Sequence, residues 1–225
     1  MPNEILWLIF LLVDLSLMLV AFRFWGKHGI YAFIGGSIIV CNIQVLLTVD
    51  LFGLVATLGN IIYASIFLGT DILNEVYGEK EARRGVWIGF FMLLWANVAM
   101  QFALQFEPVG DAGIYLALQQ VFELFPRVTV ASLVAYLLSQ HHDIWSFARW
   151  RRATQGRHLW LRNNASTIVS QFIDSVVFTG IAFWGVLPLT MVIDIFITTF
   201  VLKLIVAIAD TPFVYLARKL HALRA

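Results

Sequence analysis

Residues 5–24 read ILWLIFLLVDLSLMLVAFRF, a run of twenty in which only Asp14 and Arg23 carry charge. A helix over this run would be about 30 Å long, the thickness of a bilayer's hydrocarbon core. The run decides the fold class because it does not stand alone. Apolar windows of similar length recur at 30–47, 51–76, 85–106, 126–145, 168–187 and 191–216. The chain between them is too short for a soluble domain of ordinary size. Apolar residues make up 60% of the 225 and charged ones 13%, about half the charged share of a soluble domain. The expected fold is all-α: a polytopic transmembrane helix bundle of about seven spans, with six left open, forming a single transmembrane domain over residues 1–225. Membrane-barrel strands are not expected. They alternate apolar and polar positions over about ten residues, whereas these runs are continuously apolar for about twice that.

The second and third windows are separated only by 48–50, and the sixth and seventh only by 188–190, so both pairs should be tight hairpins. Basic residues set the orientation. Thirteen of the fifteen fall after the first, third, fifth and seventh windows. Under a seven-span count all thirteen share one side, and cytoplasmic loops are the ones enriched in Lys and Arg. The N-terminus is then expected outside and the C-terminus inside. The first window should remain in the mature protein: Glu4 leads it in place of a basic cluster, and no small-residue cleavage site follows. Cys41 stands alone within an apolar run, which excludes an intrachain disulfide and a multi-cysteine metal site.

Charge inside such spans is costly and marks function or a partner. Asp71 and Glu75 stand one helical turn apart near the end of the third window, Asp14 is central in the first, and Asp174 lies in the sixth. Lys203, near the middle of the last window, needs one of these acids as a partner, either for a ligand or in a buried pair that fixes helix register. Arg127 opens the fifth window after an amphipathic stretch at 113–125, where it either guards the outer entrance or snorkels to the interface.

The polar residues follow helical spacing. Asn60, Tyr63, Phe67, Asp71 and Asn74 form a stripe on the third span. Ser132, Tyr136, Ser139 or Gln140, and Asp143 form one on the fifth. Asn163, Thr167, Ser170, Asp174 and Phe178, with Gln171, form one on the sixth. Small polar residues also glue ordinary membrane helices together, but stripes that end in carboxylates point to a cavity.

Three stretches carry a family likeness: Thr70-Asp71 through Tyr77-Gly78; Arg127-Val128 with Ala131-Ser132, Ala135-Tyr136, Ser139-Gln140 and Asp143; and Trp160-Leu161-Arg162-Asn163-Asn164 with Ser166-Thr167, Ser170-Gln171 and Asp174-Ser175. In this order they resemble the queuosine precursor transporter family, which is grouped with vitamin-uptake transporters. The likeness runs from about residue 42 to residue 203. Some relatives lack a first span of this kind, so no role for Asp14 carries over. The resemblance implies import of the 7-deazaguanine bases preQ0 or preQ1 across the inner (plasma) membrane for tRNA queuosine synthesis. The alternative is a binding component or secondary transporter for another nucleobase or vitamin-like molecule.

Residue chemistry agrees with such a ligand. A guanine-like edge presents a ring N–H beside an exocyclic amine, a donor pair that one carboxylate accepts with both oxygens. Glu75, Asp71 or Asp174 has the right group. The opposite edge needs donors, available from Asn60, Gln171, Asn42 or Lys203, and the flat ring needs an aromatic face such as Tyr63, Tyr136 or Phe67. The substrate-binding candidates are therefore Asn42, Asn60, Tyr63, Asp71, Glu75, Arg127, Ser132, Tyr136, Gln171, Asp174 and Lys203.

Other classes fit less well. All five histidines fall in loops or at span ends, away from mid-membrane serines, which argues against an intramembrane hydrolase. His141, His142 and Asp143 read as a solvated helix end and not as a metal site, because adjacent histidines point in different directions. No P-loop is present, so the chain does not itself hydrolyse ATP. No cofactor, metal or nucleic-acid partner is expected. The expected partners are the base and the lipid bilayer, with pairing into a homodimer and a separate energising module both left open. The basic loop at 149–162 is available to such a module, although anionic lipid is the simpler partner. Asn164-Ala165-Ser166 matches a glycosylation sequon but is placed on the cytoplasmic side, so it should be unmodified.

Overall fold

Away from water, a chain must pair its backbone N–H and C=O groups within each segment, and helices do this without help from neighbours. Each apolar window accordingly carries one. In the computed structural model, which describes residues 2–109, 112–123, 125–186 and 188–223, with the backbone alone at 48, 54–56, 123, 125 and 126, the helices are α1 (Asn3–Trp25), α2 (Lys27–Gln44), α3 (Asn60–Val76), α4 (Glu79–Ala103), α5 (Gly113–Glu123), α6 (Phe125–Ala153), α7 (Leu159–Phe183) and α8 (Leu189–Ala222). The fold is an all-α bundle. Of the amphipathic stretch expected at 113–125, α5 takes 113–123, Leu124 lies outside the described residues and Phe125 opens α6; α5 is held against the end of α4, where Tyr115 donates to the Leu104 carbonyl at 2.8 Å. Leu187 and Arg224, counted above in the sixth window and the last basic cluster, lie outside the described residues.

The connection at 48–50 differs from the expected tight turn. A β-hairpin stands there, with β1 (Thr48–Leu51) antiparallel to β2 (Leu54–Thr57) and Leu51 opposite Leu54. Phe52 and Gly53 have φ of 58° and 74°, and two such residues make the two-residue turn whose twist matches that of the strands. The Gly53 N–H donates to Asp50 Oδ1 at 3.1 Å. As a result α3 begins at Asn60 and is 17 residues long, shorter than the window 51–76 implies. Gly59 sets that start. Its φ is +39°, and a Cβ there would lie 2.6 Å from the Cys41 carbonyl oxygen of α2, an approach only glycine permits.

Side-chain contacts fix two ends of the bundle. At the hairpin end, Asn3 donates to the Asp50 carbonyl at 3.1 Å and the Phe52 N–H to Glu4 at 3.3 Å. At the opposite end, Lys27 and Arg84 both reach Glu81, at 3.2 and 3.0 Å. Arg151 there donates to the Asn74 carbonyl at 3.1 Å, and the Tyr77 ring meets His221. All helices but α5 therefore run alternately between a hairpin end, where α1 begins, and a basic end, where α8 finishes. By length and mean hydropathy α1, α4, α7 and α8 are able to cross a bilayer, and a fifth span is added if the bent α5–α6 pair is taken as one. Large apolar side chains such as Leu12, Phe91, Trp95 and Ile208 stay exposed on the outer faces, as a lipid-facing surface requires.

Helix α3 is the hub, with fifteen of its seventeen residues buried. Glycines let its neighbours close in. Gly69 sits beneath Met18, Ile30 and Ile34, and Gly89 of α4 sits under the Tyr136 hydroxyl of α6 with no room for a Cβ. Small residues at crossings are how helices approach closely where lipid supplies no hydrophobic drive.

Candidate functional site

A cavity of about 340 Å3 occupies the half of the bundle next to the hairpin, within the size range of small-molecule pockets. Cys41 and Asn42 of α2, Thr57 and Gly59 after the hairpin, Asn60 and Tyr63 of α3, and Ser132 of α6 line it. Asp174, Phe178 and Phe183 of α7 and Thr199 and Lys203 of α8 complete the polar and aromatic part of the wall. At its centre Lys203 Nζ donates to Asp174 Oδ2 at 2.5 Å. The Tyr63 hydroxyl also donates to Asp174, through Oδ1, and Ser139 lies 3.3 Å from the same oxygen. The ammonium sits 4.4 Å from the centre of the Tyr63 ring, within cation–π range. Of the acids the sequence offered Lys203, Asp174 is therefore its partner. Asn42 donates to the Ile38 carbonyl at 2.7 Å, while its own Oδ1 is buried without a donor.

A second polar region fills the half toward the basic end. Arg162, wholly buried, donates to Glu75 Oε2 at 2.6 Å, and Arg218 lies 3.7 Å from the other Glu75 oxygen. These contacts join α3, α7 and α8 at the basic end. Between this closure and the cavity, Asn163 donates to Asp210 at 3.0 Å and Thr167 to Asp71 at 3.4 Å.

The eleven candidates do not converge on one place. Asn42, Asn60, Tyr63, Ser132, Asp174 and Lys203 line the cavity, whereas Asp71, Glu75, Arg127, Tyr136 and Gln171 are not among its lining residues. Asp71 and Glu75 lie two and three turns beyond Tyr63 on a helix that is buried on every face, so a shared stripe does not bring them to a shared void. Arg127 donates to the Ile181 and Trp184 carbonyls at 2.6 and 2.5 Å, tying the start of α6 to the end of α7. Tyr136 is buried against Gly89, and Gln171 is wholly buried with neither amide atom partnered. Asp143 corrects the sequence reading: it is no solvated helix end but wholly buried, because its helix continues ten residues further, to Ala153. Among the described residues no His, Cys, Asp and Glu group is able to hold a metal ion.

Sequence reasoning passed over Asp210 and the burial of Arg162. Asp210 follows Lys203 by two helical turns in the same apolar run, a spacing that could have placed both on one face. Arg162 was masked by the loop charges beside it.

The "Putative vitamin uptake transporter" family matches residues 57–217 of this chain. That segment covers α3 to α7 and most of α8, with most of both polar regions, while Asn42 of the cavity and Arg218 beside Glu75 lie outside it. The chain belongs to this family. Family membership makes it a transporter and not an enzyme. It is 41% identical over 221 residues, 98% of this chain and 96% of the other, to the "Probable queuosine precursor transporter" of Bacillus subtilis (strain 168). It is 34% identical over 144 residues, 64% of this chain and 62% of the other, to the "Queuosine precursor transporter" of Escherichia coli (strain K12). A "Probable queuosine precursor transporter" of Haemophilus influenzae is 28% identical over 134 residues, 59% of this chain and 54% of the other. No solved structure matches.

Proposed function

We propose that this chain imports queuosine precursors, the 7-deazaguanine bases preQ0 and preQ1, across the cell's inner membrane for tRNA queuosine synthesis, and binds them in the cavity beside Asp174. The observation that carries this reading is a paired carboxylate and ammonium over an aromatic ring, inside a cavity of about 340 Å3. The full-length relative of Bacillus subtilis, named for these precursors, supports the choice of substrate.

The chemistry follows from the geometry. The ring N–H and exocyclic amine of the base donate to the two Asp174 oxygens, displacing Lys203. The ammonium then turns to the carbonyl next to the ring N–H, and Tyr63 offers its face to the ring. The Asn42 oxygen, buried without a donor, accepts a further base N–H. Before a base arrives, the ion pair keeps both buried charges compensated, which either charge alone would lack. A base without the amine leaves one Asp174 oxygen unpaired, so the site rejects it by several kcal/mol.

Seven spans with the hairpin end outside and the basic end inside complete the proposal, since this puts the Lys and Arg clusters in the cytoplasm. The cavity then faces outward, and Glu75 with Arg162 closes the inner side. The test is rescue of a strain that converts these bases but cannot make them, with queuosine in tRNA as the readout. Rescue by preQ0 or preQ1 is expected. No rescue by either base moves the substrate to another nucleobase or vitamin-like molecule.

A further inference from the structure

Between the cavity and the Glu75–Arg162 closure, three carboxyl groups meet without a cation. Asp71 of α3 is 1% exposed, and Asp143 of α6 and Asp210 of α8 are wholly buried. None of them joins an ion pair among the described residues. Thr70 of α3 donates to Gln140 of α6 at 3.0 Å and Asn74 to the Ile144 carbonyl at 3.0 Å, a packing that sets Asp71 and Asp143 against each other, and Asp210 is close enough to act on both by charge.

The hydrogens do not suffice. Asp71 Oδ1, both Asp143 oxygens and Asp210 Oδ2 receive no hydrogen bond. The hydroxyls around Asp143 are committed elsewhere: Ser166 donates to the Arg162 carbonyl at 2.8 Å, Ser170 to the Ser166 carbonyl at 2.8 Å and Thr167 to Asp71. An independent sign comes from a neutral side chain. Asn163 is wholly buried and turned into this group by its bond to Asp210, yet its own Oδ1 accepts nothing. The oxygens of this group are short of hydrogens to accept, and a bound proton supplies one.

A metal cation is the weaker candidate, since these acids do not converge on a point able to hold one among the described residues. Two buried carboxyl groups set against each other, with no cation beside them, favour holding one proton between them over ionising together. The charged groups beyond them already have partners: Glu75 has Arg162 and Arg218 on the side of the basic end, and Asp174 has Lys203 on the cavity side. His142 turns its ring to the Ser170 hydroxyl at 2.9 Å.

Resting on the transport reading above, we propose that the Asp71–Asp143 carboxyl pair is a proton-binding site that couples base import to proton entry. The pair takes a proton from the cavity side, holds it as a carboxyl O–H donated to the facing carboxylate, and releases it to water at the basic end when the Glu75–Arg162 closure opens. No other bond forms or breaks.

The test uses the purified full chain in vesicles, with the uncharged base preQ0 and the membrane potential clamped at zero. For one proton per base, an outside medium one pH unit more acidic should accumulate preQ0 about tenfold, and a pH dye inside should report proton entry only when preQ0 is present. Asp143→Asn should lose both responses while still exchanging labelled for unlabelled preQ0 at equal pH. Infrared spectra of the protein, without any base, should show a protonated-carboxyl band that Asp143→Asn removes. Accumulation indifferent to the pH gradient, accumulation driven by a sodium gradient, or a carboxyl band unchanged in Asp143→Asn would each overturn the proton site. Absence of exchange with either base sinks the transport reading instead, and the infrared band still decides whether the proton site exists.

Discussion

Asp174 and Asp143 are both buried carboxylates on neighbouring helices, and their surroundings are opposite. Asp174 receives hydrogen bonds from Lys203, Tyr63 and Ser139 beside a cavity, whereas Asp143 receives none and faces another carboxyl group. A buried carboxylate with a full set of donors is prepared to exchange those donors for others of the same kind. One with too few hydrogens is prepared to bind a cation, the smallest being a proton. One bundle thus builds two kinds of recognition from the same side chain by controlling what else reaches it. The cavity half is set up for an organic ligand with a donor edge, and the inner half is set up for charge.

The largest expected effect falls on the cavity half. Asp174→Asn removes the charge that Lys203 and the base both use. Charge-assisted bonds contribute roughly 1.5–3 kcal/mol each, so loss of two should weaken base binding by a hundredfold or more. The same change strands Lys203, and an unpaired buried charge costs about 3–5 kcal/mol of stability, visible as a lower melting midpoint in detergent. Asp174→Asn with Lys203→Met should recover the midpoint but not uptake. Recovery of uptake in the double variant would reduce the pair to a helix fastener.

A smaller effect on binding is expected at the basic end, where the comparison is easiest to break. Arg162→Met leaves Glu75 buried without its main partner and should cost about as much stability as Asp174→Asn. Glu75→Gln with Arg162→Met should restore most of it, by the coupling expected of partners in contact. In the double variant the dissociation constant for preQ0 should stay within about threefold of wild type, as measured on the purified protein. A loss as steep as that of Asp174→Asn would put Glu75 in the base site.

Sequence reading reached the helices and missed the partition between them. Each apolar window carries a helix because window length and backbone pairing are local properties. The hairpin was hidden inside the third window, since Leu51 to Thr57 is as apolar as the helix that follows and only the positive φ at Phe52 and Gly53 separates them. Lys203 and Asp174 were legible as isolated charges in apolar runs, and their need for partners could be stated in advance. Which acid serves which cation depends on how α3, α7 and α8 cross. That put Glu75 with Arg162, and the packing of α3 on α6 left Asp71 against Asp143, a meeting between helices that no spacing along one chain segment encodes.

The smallest expected effect has the opposite sign and asks which half moves. Gly180 lies within α7 between Phe178 and Phe183, two cavity residues, and a Cβ added there would meet nothing within 4 Å. Alanine is the better helix former by about 1 kcal/mol, so Gly180→Ala should raise the melting midpoint by roughly 2–4 °C for a chain of this size. The end of α7 is already pinned, with Arg127 holding the Ile181 and Trp184 carbonyls at 2.6 and 2.5 Å. If that end is a fixed wall, uptake by Gly180→Ala should match wild type, and the motion of transport belongs to the basic end, where opening means parting Glu75 from Arg162. If the midpoint rises while uptake falls several-fold, α7 must flex at Gly180 to admit or enclose the base. In that case the cavity half is the moving part, and the inner closure answers to it.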